Sequence, residues 1–338
     1  MIDLLVAGGG PAGLATAIHA ARAGLDVVVA EPRTGPIDKA CGEGLMPGAV
    51  RELDRLGIAV EGHPLRGIRY LDDRRRAQAL FRGTPGKGVR RTELHGALAR
   101  RAMELGIPVL PVRVGTVRQD HDQVHAAGMT ARYLAAADGL HSPIRRQLAL
   151  DLADPRPPRY GLRRHFAVRP WTDCVEVHWS PHAEAYVTPL GPRLVGVAVL
   201  TSERGPFERH LGHFPALARE LASATATTRT RGAGPLRQRA SARVCGRVLL
   251  VGDAAGYIDA LTGEGLSLAL AAAGQLVRCV RADRAADYEQ AWQRVTRRHR
   301  LLTESLLWTR SRPALARRIV PAATRLPRVF TALVNQLA

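Results

Sequence analysis

The chain has 338 residues, 46% of them apolar, which predicts a globular protein of about two domains with a large core. No apolar run approaches the roughly 18 residues that a membrane span requires. The net charge is +19, but the 49 basic residues, of which only Lys39 and Lys87 are lysine, are spread along the chain, so we expect no nucleic-acid partner.

The N-terminus and the cysteines bear on location. The first residues show no charged segment before an apolar core and no cleavage site, so we expect no signal peptide. Cys41, Cys174, Cys245 and Cys279 are scattered and form no CxxC pair. This spacing argues against a disulfide framework or a metal site and favours a reducing cytoplasm.

The first predicted elements form a strand, a helix and a second strand. Residues 2–7 (IDLLVA) are an apolar run typical of a buried parallel strand. The alanine-rich residues 14–24 predict a helix packed closely on a sheet, and residues 26–30 (DVVVA) predict the next strand. The order is that of a Rossmann-like βαβ unit.

A glycine motif joins the first strand to the helix. Gly8 permits a tight turn, Gly10 lets a pyrophosphate approach the backbone, and Gly13 allows close packing of helix and strand. Glu31 ends the second strand, 18 residues after Gly13, where it can accept hydrogen bonds from a ribose. Together they predict a dinucleotide-binding site.

Two later stretches distinguish between dinucleotides. Residues 134–148 carry Asp138-Gly139 after a short strand, and residues 247–256 carry Gly252-Asp253 after another. With the early glycine motif, the sequence resembles an FAD-dependent group. This group includes single-component aromatic hydroxylases, geranylgeranyl reductases, lycopene cyclases and flavin-dependent halogenases.

The resemblance implies FAD and assigns parts of it to residues. Asp253 would accept hydrogen bonds from the ribityl hydroxyls, and a helix starting near Gly265-Leu266 would point its N–H groups at the flavin N1/C2=O edge. Asp138 would support the phosphates or a pyridine nucleotide, and Arg91 would reach the cofactor beside the substrate domain. The residues expected at the cofactor are Gly8, Gly10, Ala12, Gly13, Glu31, Arg33, Cys41, Gly42, Arg91, Asp138, Gly139, Asp253, Gly263, Gly265 and Leu266.

The chain departs from the aromatic hydroxylase pattern at one motif. Gly256 and Ala260 stand where those enzymes usually have a histidine and a proline. Residues 252–265, and the Cys-Gly-rich residues 39–50, look more like the geranylgeranyl reductase and halogenase branch. This similarity makes residues 41–43 candidates for the flavin edge, although Cys41 equally fits a small buried side chain.

The middle of the chain changes periodicity. Residues 68–81 and 173–200 alternate with period two and predict antiparallel strands, with Val175, Val177 and Trp179 on one face. In the family, such a sheet forms a substrate domain whose pocket faces the flavin.

Residues 161–166 and 185–189 are the predicted pocket lining. His165 and Tyr186 could orient a phenol, or could be structural residues. With Cys41 they are the only catalytic candidates, because the flavin carries the chemistry.

The last residues predict helices with two alternative roles. In residues 301–338 the apolar side chains Leu315, Ile319, Leu326, Phe330, Leu333 and Leu337 recur at roughly helical spacing, with arginines between them. The helices could close over the core with arginine outside. They could instead form a basic amphipathic surface that touches a membrane or a lipidic substrate.

The predicted fold class is therefore α/β, with a Rossmann-like FAD-binding domain, an inserted antiparallel β-sheet substrate domain and a C-terminal helical segment. The predicted boundaries are 1–62, 89–150 and 241–300 for the FAD-binding domain, 63–88 and 151–240 for the substrate domain, and 301–338 for the C-terminal helices.

The leading functional hypothesis is a monooxygenase. NAD(P)H would act as a transient electron donor, and molecular oxygen would add at the flavin C4a to give a hydroperoxide that hydroxylates a phenolic or lipidic substrate. The alternative is a reductase of isoprenoid double bonds, although the tryptophan-containing motif of those enzymes is not found. A halogenase is disfavoured because the WxWxIP signature is missing, and a non-catalytic FAD-binding protein stays open.

Overall fold

The computed structural model describes residues 1–337, and its strands gather into four sheets, with the helix Pro11–Arg22 packed on the first. In chain order the strands are β1 (Ile2–Ala7), β2 (Val27–Ala30), β3 (Gly44–Leu45), β4 (His63–Leu65), β5 (Gly67–Leu71), β6 (Arg76–Leu80), β7 (Gly86–Gly88), β8 (Val109–Leu110), β9 (Val117–Gln119), β10 (Val124–Ala126), β11 (Met129–Ala136), β12 (Asp151–Leu152), β13 (Tyr160–Ala167), β14 (Cys174–Trp179), β15 (Ala183–Gly191), β16 (Leu194–Thr201), β17 (Thr225–Ala226), β18 (Arg231–Ala233), β19 (Arg239–Ala240), β20 (Val244–Cys245) and β21 (Val248–Leu250). The helices are α1 (Pro11–Arg22), α2 (Pro47–Arg55), α3 (Arg91–Glu104), α4 (Pro143–Gln147), α5 (Phe207–Leu211), α6 (Pro215–Glu220), α7 (Gly265–Arg281), α8 (Asp287–Arg310), α9 (Pro313–Ala316), α10 (Ile319–Arg325) and α11 (Pro327–Leu337), with a short 3₁₀ helix at Gly252–Ala255.

The first sheet holds the nucleotide-binding half of the chain. Its order is β20-β21-β11-β1-β2-β8, and β1 pairs in parallel with both β2 and β11. Leu4, Leu5 and Val6 are all fully buried, so both faces of β1 are covered and neither is polar. The predicted βαβ unit is confirmed, and β1 has the predicted bounds.

The second sheet has the order β17-β13-β16-β15-β14-β5-β6. Its hairpins are antiparallel as predicted, but the β5–β14 pair is parallel, so the prediction for residues 68–81 and 173–200 is wrong at that pair. The reason is the connection, since the chain between β5 and β14 passes through the first sheet and forms a crossover rather than a hairpin.

Two small sheets complete the strands. Residues of β4 and β7 pair in a three-stranded sheet with β3, which carries the Cys-Gly-rich stretch, and β12 pairs with β19. The three-stranded sheet therefore links that stretch to the segment that follows β6.

The C-terminal helices pack on the outer strands of the second sheet. Ala323, Phe330 and Val334 are buried against Ala77 and Ala79 of β6. Pro313 and Pro327 each begin a helix, where a missing N–H costs nothing, so short helices follow α8. Pro321 was also expected to interrupt the segment, but it lies in the first turn of α10. The side chain of Leu337 lies outside the described residues. Within residues 1–337, no helix combines the length and the apolarity needed to cross a membrane.

Candidate functional site

The glycine motif after β1 has the geometry that its sequence predicts. Gly8 has φ +109°, and a Cβ there would lie 2.6 Å from the carbonyl oxygen of Ala137. A Cβ on Gly13 would lie 1.8 Å from the Gly8 oxygen, so α1 can approach β1 only with glycine at this position. A Cβ on Gly10 would meet nothing within 4 Å. The N-terminus of α1 therefore faces open space, and no side chain in the described chain caps it.

Glu31 lies directly beside this motif. Its carboxylate accepts the Gly9 N–H at 2.7 Å and, at the other oxygen, the Arg33 backbone N–H at 2.9 Å and Nε at 2.8 Å. Burial acts to raise the pKa of Glu31, but these hydrogen bonds outweigh it and hold the pKa below its ordinary value. The carboxylate is thus ionised and also braces the loop, while Arg33 is mostly exposed.

Arg145 is fully buried and forms hydrogen bonds with both later motifs, the one at Asp138-Gly139 and the one at Gly252-Asp253. Its guanidinium donates to the Ala254 carbonyl at 3.0 Å and to the Leu140 carbonyl at 3.1 Å. Asp138 accepts the Ile144 N–H at 3.1 Å through Oδ2, and its Oδ1 is buried with no hydrogen-bond partner in residues 1–337. Sequence reasoning gave Arg145 no role, although its place at the end of the Asp138 motif was a usable signal.

The acid of the last motif meets a lysine from the Cys-Gly-rich stretch. Lys39 Nζ donates to Asp253 Oδ2 at 2.7 Å. Burial acts to raise the pKa of Asp253, and the charges of Lys39, Arg91 and Arg145 lower it on balance. Arg91 begins α3, and its Nε is buried without a partner in the described structure. Lys39 was not predicted, because nothing in the sequence shows that residues 39 and 253 meet.

The helix after this motif begins where it was predicted to begin. Gly265 is the first residue of α7 and Leu266 the second, and no described side chain caps the helix. Ala12 packs against the preceding turn, since a Cβ on Gly252 would lie 2.6 Å from the Ala12 Cβ. Glu264 is buried just before the helix, and burial raises its pKa to about 8.

The buried side chains of Glu43 and His165 form a pair that holds the Cys-Gly-rich stretch in place. Glu43 has φ +59° and its Oε2 lies 2.5 Å from His165 Nε2, while its Oε1 accepts the Arg91 N–H at 2.8 Å. Cys41 is half-buried, with Sγ 3.4 Å from the Glu43 N–H that it accepts. The Gly42 carbonyl accepts the Thr188 hydroxyl at 2.7 Å. This pair was missed as a unit, because Glu43 lies in the loop before β3 and His165 lies in β13, 122 positions later.

These observations fit FAD. Gly10, Gly42 and Gly139 have open space where a side chain would stand, and two helix N-termini are uncapped by described side chains. Buried polar atoms of Asp138, Arg91 and Glu264 lack partners within residues 1–337. A long ligand with phosphates, hydroxyls and a polar ring edge would satisfy such groups, because buried polar atoms are normally hydrogen-bonded.

An apolar cavity of about 360 Å³ lies between the second sheet and the C-terminal helices. Its sheet side includes Val175, Val177 and Tyr186, and its helix side includes side chains of α8, α10 and α11. Met46 and residues 261–263 form the end next to α7, so the cavity reaches the predicted flavin-binding loop, including Gly263. Among the lining residues there is no charged side chain and no histidine.

The predicted lining is only partly right. Tyr186 lines the cavity, but its hydroxyl donates to the Leu261 carbonyl at 2.7 Å. Residues 161–166, including His165, do not line it, because β13 lies two strands away from β15 in the sheet order. His165 contacts Glu43 instead, so it is not placed to orient a phenol in this cavity.

The sequence matches a known family. The family described as FAD binding domain covers residues 1–282, most of the chain. Menaquinone reductase from Mycobacterium tuberculosis is 30% identical over 304 residues, covering 79% of this chain and 74% of that protein. Phenazine 1,6-dicarboxylic acid hydroxylase PhzS from Lysobacter antibioticus is 32% identical over 190 residues, covering 48% of this chain and 46% of that protein.

The fold also matches solved structures. A flavoprotein/dehydrogenase from Cytophaga hutchinsonii superposes with a TM-score of 0.80 at 18% identity, covering 90% of this chain and 85% of that chain. At this identity the likeness shows the fold, and it confirms the predicted α/β class with a helical C-terminus.

Proposed function

The chain belongs to the FAD-binding-domain family and is an FAD-dependent oxidoreductase, and from this premise we propose that it reduces carbon–carbon double bonds of an isoprenoid-type lipid. The observation that carries the proposal is the apolar cavity, which runs from the predicted flavin-binding loop to the C-terminal helices. A cavity of this composition gains free energy by burying a hydrocarbon chain and has little to offer a polar substrate.

The composition of the same cavity is the reason why we favour reduction over hydroxylation as the proposed reaction. A phenol is activated for hydroxylation by loss of its proton, which calls for a base or a polar relay beside it. The lining contains no acid, base or histidine, and Tyr186 already donates its hydroxyl to a carbonyl. The similarity to a reductase also covers more of the chain than the similarity to a hydroxylase.

In the proposed reaction, different residues bind the cofactor, bind the substrate and donate the proton. Bound and reduced FAD supplies a hydride, and NAD(P)H resupplies the two electrons. Asp253 and Arg91 would hold the cofactor, and the α7 N-terminus would stabilise negative charge at its ring edge. The Met46 and Leu261 side chains hold the substrate chain and exclude water. The proton that accompanies the hydride must come from outside the apolar lining, and we propose the half-buried Cys41 thiol, which does not line the cavity, as its donor.

An anaerobic product assay tests the proposal. Protein reduced with NADPH is mixed with a detergent-dispersed geranylgeranyl lipid, and flavin reoxidation is followed together with product mass. Reduction predicts reoxidation without oxygen and a product two hydrogen atoms heavier for each reduced double bond. The fully saturated lipid is the control and should leave the flavin reduced. Reoxidation that requires oxygen, with a product one oxygen atom heavier, would overturn the reductase proposal.

Hydroxylation of a lipidic phenol is the second candidate. It is supported by the partial similarity to PhzS and by the three motifs, which the single-component hydroxylases share with the rest of the FAD-dependent group. It requires molecular oxygen as a co-substrate, so the same assay repeated in air tests it. Either candidate acts on a lipid, so we also propose that the protein works in peripheral contact with a membrane.

A further inference from the structure

The mouth of the apolar cavity is a patch of exposed hydrocarbon. Leu326, Val329 and Leu333 line the cavity and are 56%, 52% and 42% exposed, respectively. The neighbouring Phe330 and Val334 of α11 also line the cavity and are buried against the second sheet. Each of the three residues thus contacts both the cavity and the solvent. A large apolar patch that opens directly into a cavity is typical of a contact or loading surface.

Arginines surround this mouth. Arg317, Arg318, Arg325 and Arg328 are exposed, and within residues 1–337 none of them forms an ion pair. Arg318 and Arg325 stand four before and three after Ala322, an exposed cavity residue, so the three share one face of α10. Arg310 differs, because it points inward and pairs with Glu184.

An aromatic side chain extends the patch at the end of α8. Trp308 is 56% exposed, and the Arg312 guanidinium lies 3.7 Å from the centroid of its ring. An indole with one apolar body and one polar edge is suited to the boundary between headgroups and acyl chains. We call these exposed side chains together the docking surface: Trp308, Arg312, Arg317, Arg318, Ala322, Arg325, Leu326, Arg328, Val329 and Leu333.

We propose that the docking surface binds an anionic lipid bilayer and that the lipid substrate enters the cavity through the mouth at its centre. This inference rests on the proposed function for its substrate. The charge is complementary to anionic headgroups, and the apolar centre is complementary to acyl chains. A bilayer is favoured over an acidic protein partner because the apolar centre opens into a cavity that only a chain-like molecule can enter.

Vesicle flotation tests the inference. The full-length protein is mixed with vesicles of phosphatidylcholine and phosphatidylglycerol, or of phosphatidylcholine alone, at low and high salt. The test variant replaces Arg317, Arg318, Arg325 and Arg328 with Gln, and the matched control replaces the exposed Arg113, Arg193, Arg229 and Arg281 with Gln. Both variants lose four positive charges, but only the first loses them from the docking surface.

We expect the wild type and the control to float with anionic vesicles at low salt and to be released as salt rises. The test variant should lose on the order of tenfold or more in partition coefficient. If the wild type stays at the bottom at low salt, or if both variants lose binding equally, the proposal that the docking surface binds the bilayer is wrong.

Turnover of a detergent-dispersed lipid distinguishes a failure of the docking inference from a failure of the proposed function. The test variant should keep wild-type turnover in detergent and lose turnover of lipid presented in vesicles. Turnover in detergent without flotation would overturn only the docking inference. Flotation without any lipid turnover would overturn the proposed function, and the entry route with it.

Discussion

Lys39 and Asp253 form an ion pair of 2.7 Å between residues 214 positions apart in the chain. The pair joins the Cys-Gly-rich stretch to the Gly-Asp turn after β21. The family resemblance implies the flavin edge for the first segment and the ribityl hydroxyls for the second. Because Lys39 holds one oxygen of the Asp253 carboxylate, the orientation of this acid, which we propose as a cofactor ligand, is fixed by the protein itself.

Replacing Asp253 with Asn should weaken FAD binding more than it weakens the fold. Loss of a charge-assisted hydrogen bond to the cofactor costs about 1.5–3 kcal/mol, which is roughly a ten- to hundredfold rise in Kd. Flavin fluorescence titration of the apoprotein measures the Kd, and circular dichroism reports folding. The control is Asp122→Asn, an exposed acid in the FAD-binding part of the chain. Wholesale unfolding of the Asp253 variant would make the residue structural.

The pH dependence of stability should reveal Glu264. Burial raises the pKa of its carboxyl to about 8, so the folded chain keeps a proton that the unfolded chain loses above pH 4.5. Stability from this group is therefore present below pH 4.5 and is lost progressively as pH rises through about 8.

The Glu264→Gln variant should not lose this stability as the pH rises, because glutamine does not ionise. The variant and wild type should unfold alike near pH 4.5, and by pH 9 the variant should be more stable by about 2–4 kcal/mol. Urea titrations of the apoprotein across this range measure the difference. A difference that stays constant with pH would show that Glu264 is ionised in the folded chain.

Tyr186→Phe tests whether this tyrosine is structural. Its hydroxyl donates to the Leu261 carbonyl at 2.7 Å, so the variant should lose about 1 kcal/mol of stability. Turnover should stay close to wild type, because the ring still lines the cavity. Urea unfolding and kcat are measured together. A large loss of kcat with unchanged stability would instead return Tyr186 to the catalytic candidates.

Ala322→Phe should separate long substrates from short ones. Ala322 lines the cavity on α10, and a phenyl ring there would narrow it. We expect KM for a geranylgeranyl lipid to rise by about tenfold, since overpacking costs on the order of 1–3 kcal/mol. KM for a ten-carbon analogue should change little. Ala332→Phe, an exposed position on α11 outside the cavity, is the matched control and should behave as wild type for both substrates.

The sequence by itself determined the elements whose signals are local. The strand 2–7, the glycine motif and the helix start at Gly265 follow from apolar runs and from φ and packing limits that neighbouring residues impose. The packing of Val175, Val177 and Trp179 in one apolar cluster follows from the period-two geometry of a strand in the same way. The three motifs also sufficed to identify the family.

Only the tertiary structure decided which distant segments meet. The Lys39–Asp253 and Glu43–His165 pairs, the parallel β5–β14 pair and the position of His165 outside the cavity all depend on sheet order. Sheet order is set by the summed burial of both sheets and their helices, which no short window of sequence contains. The cavity has the same origin, because it is built from strands, a loop and three helices that touch only in the folded chain.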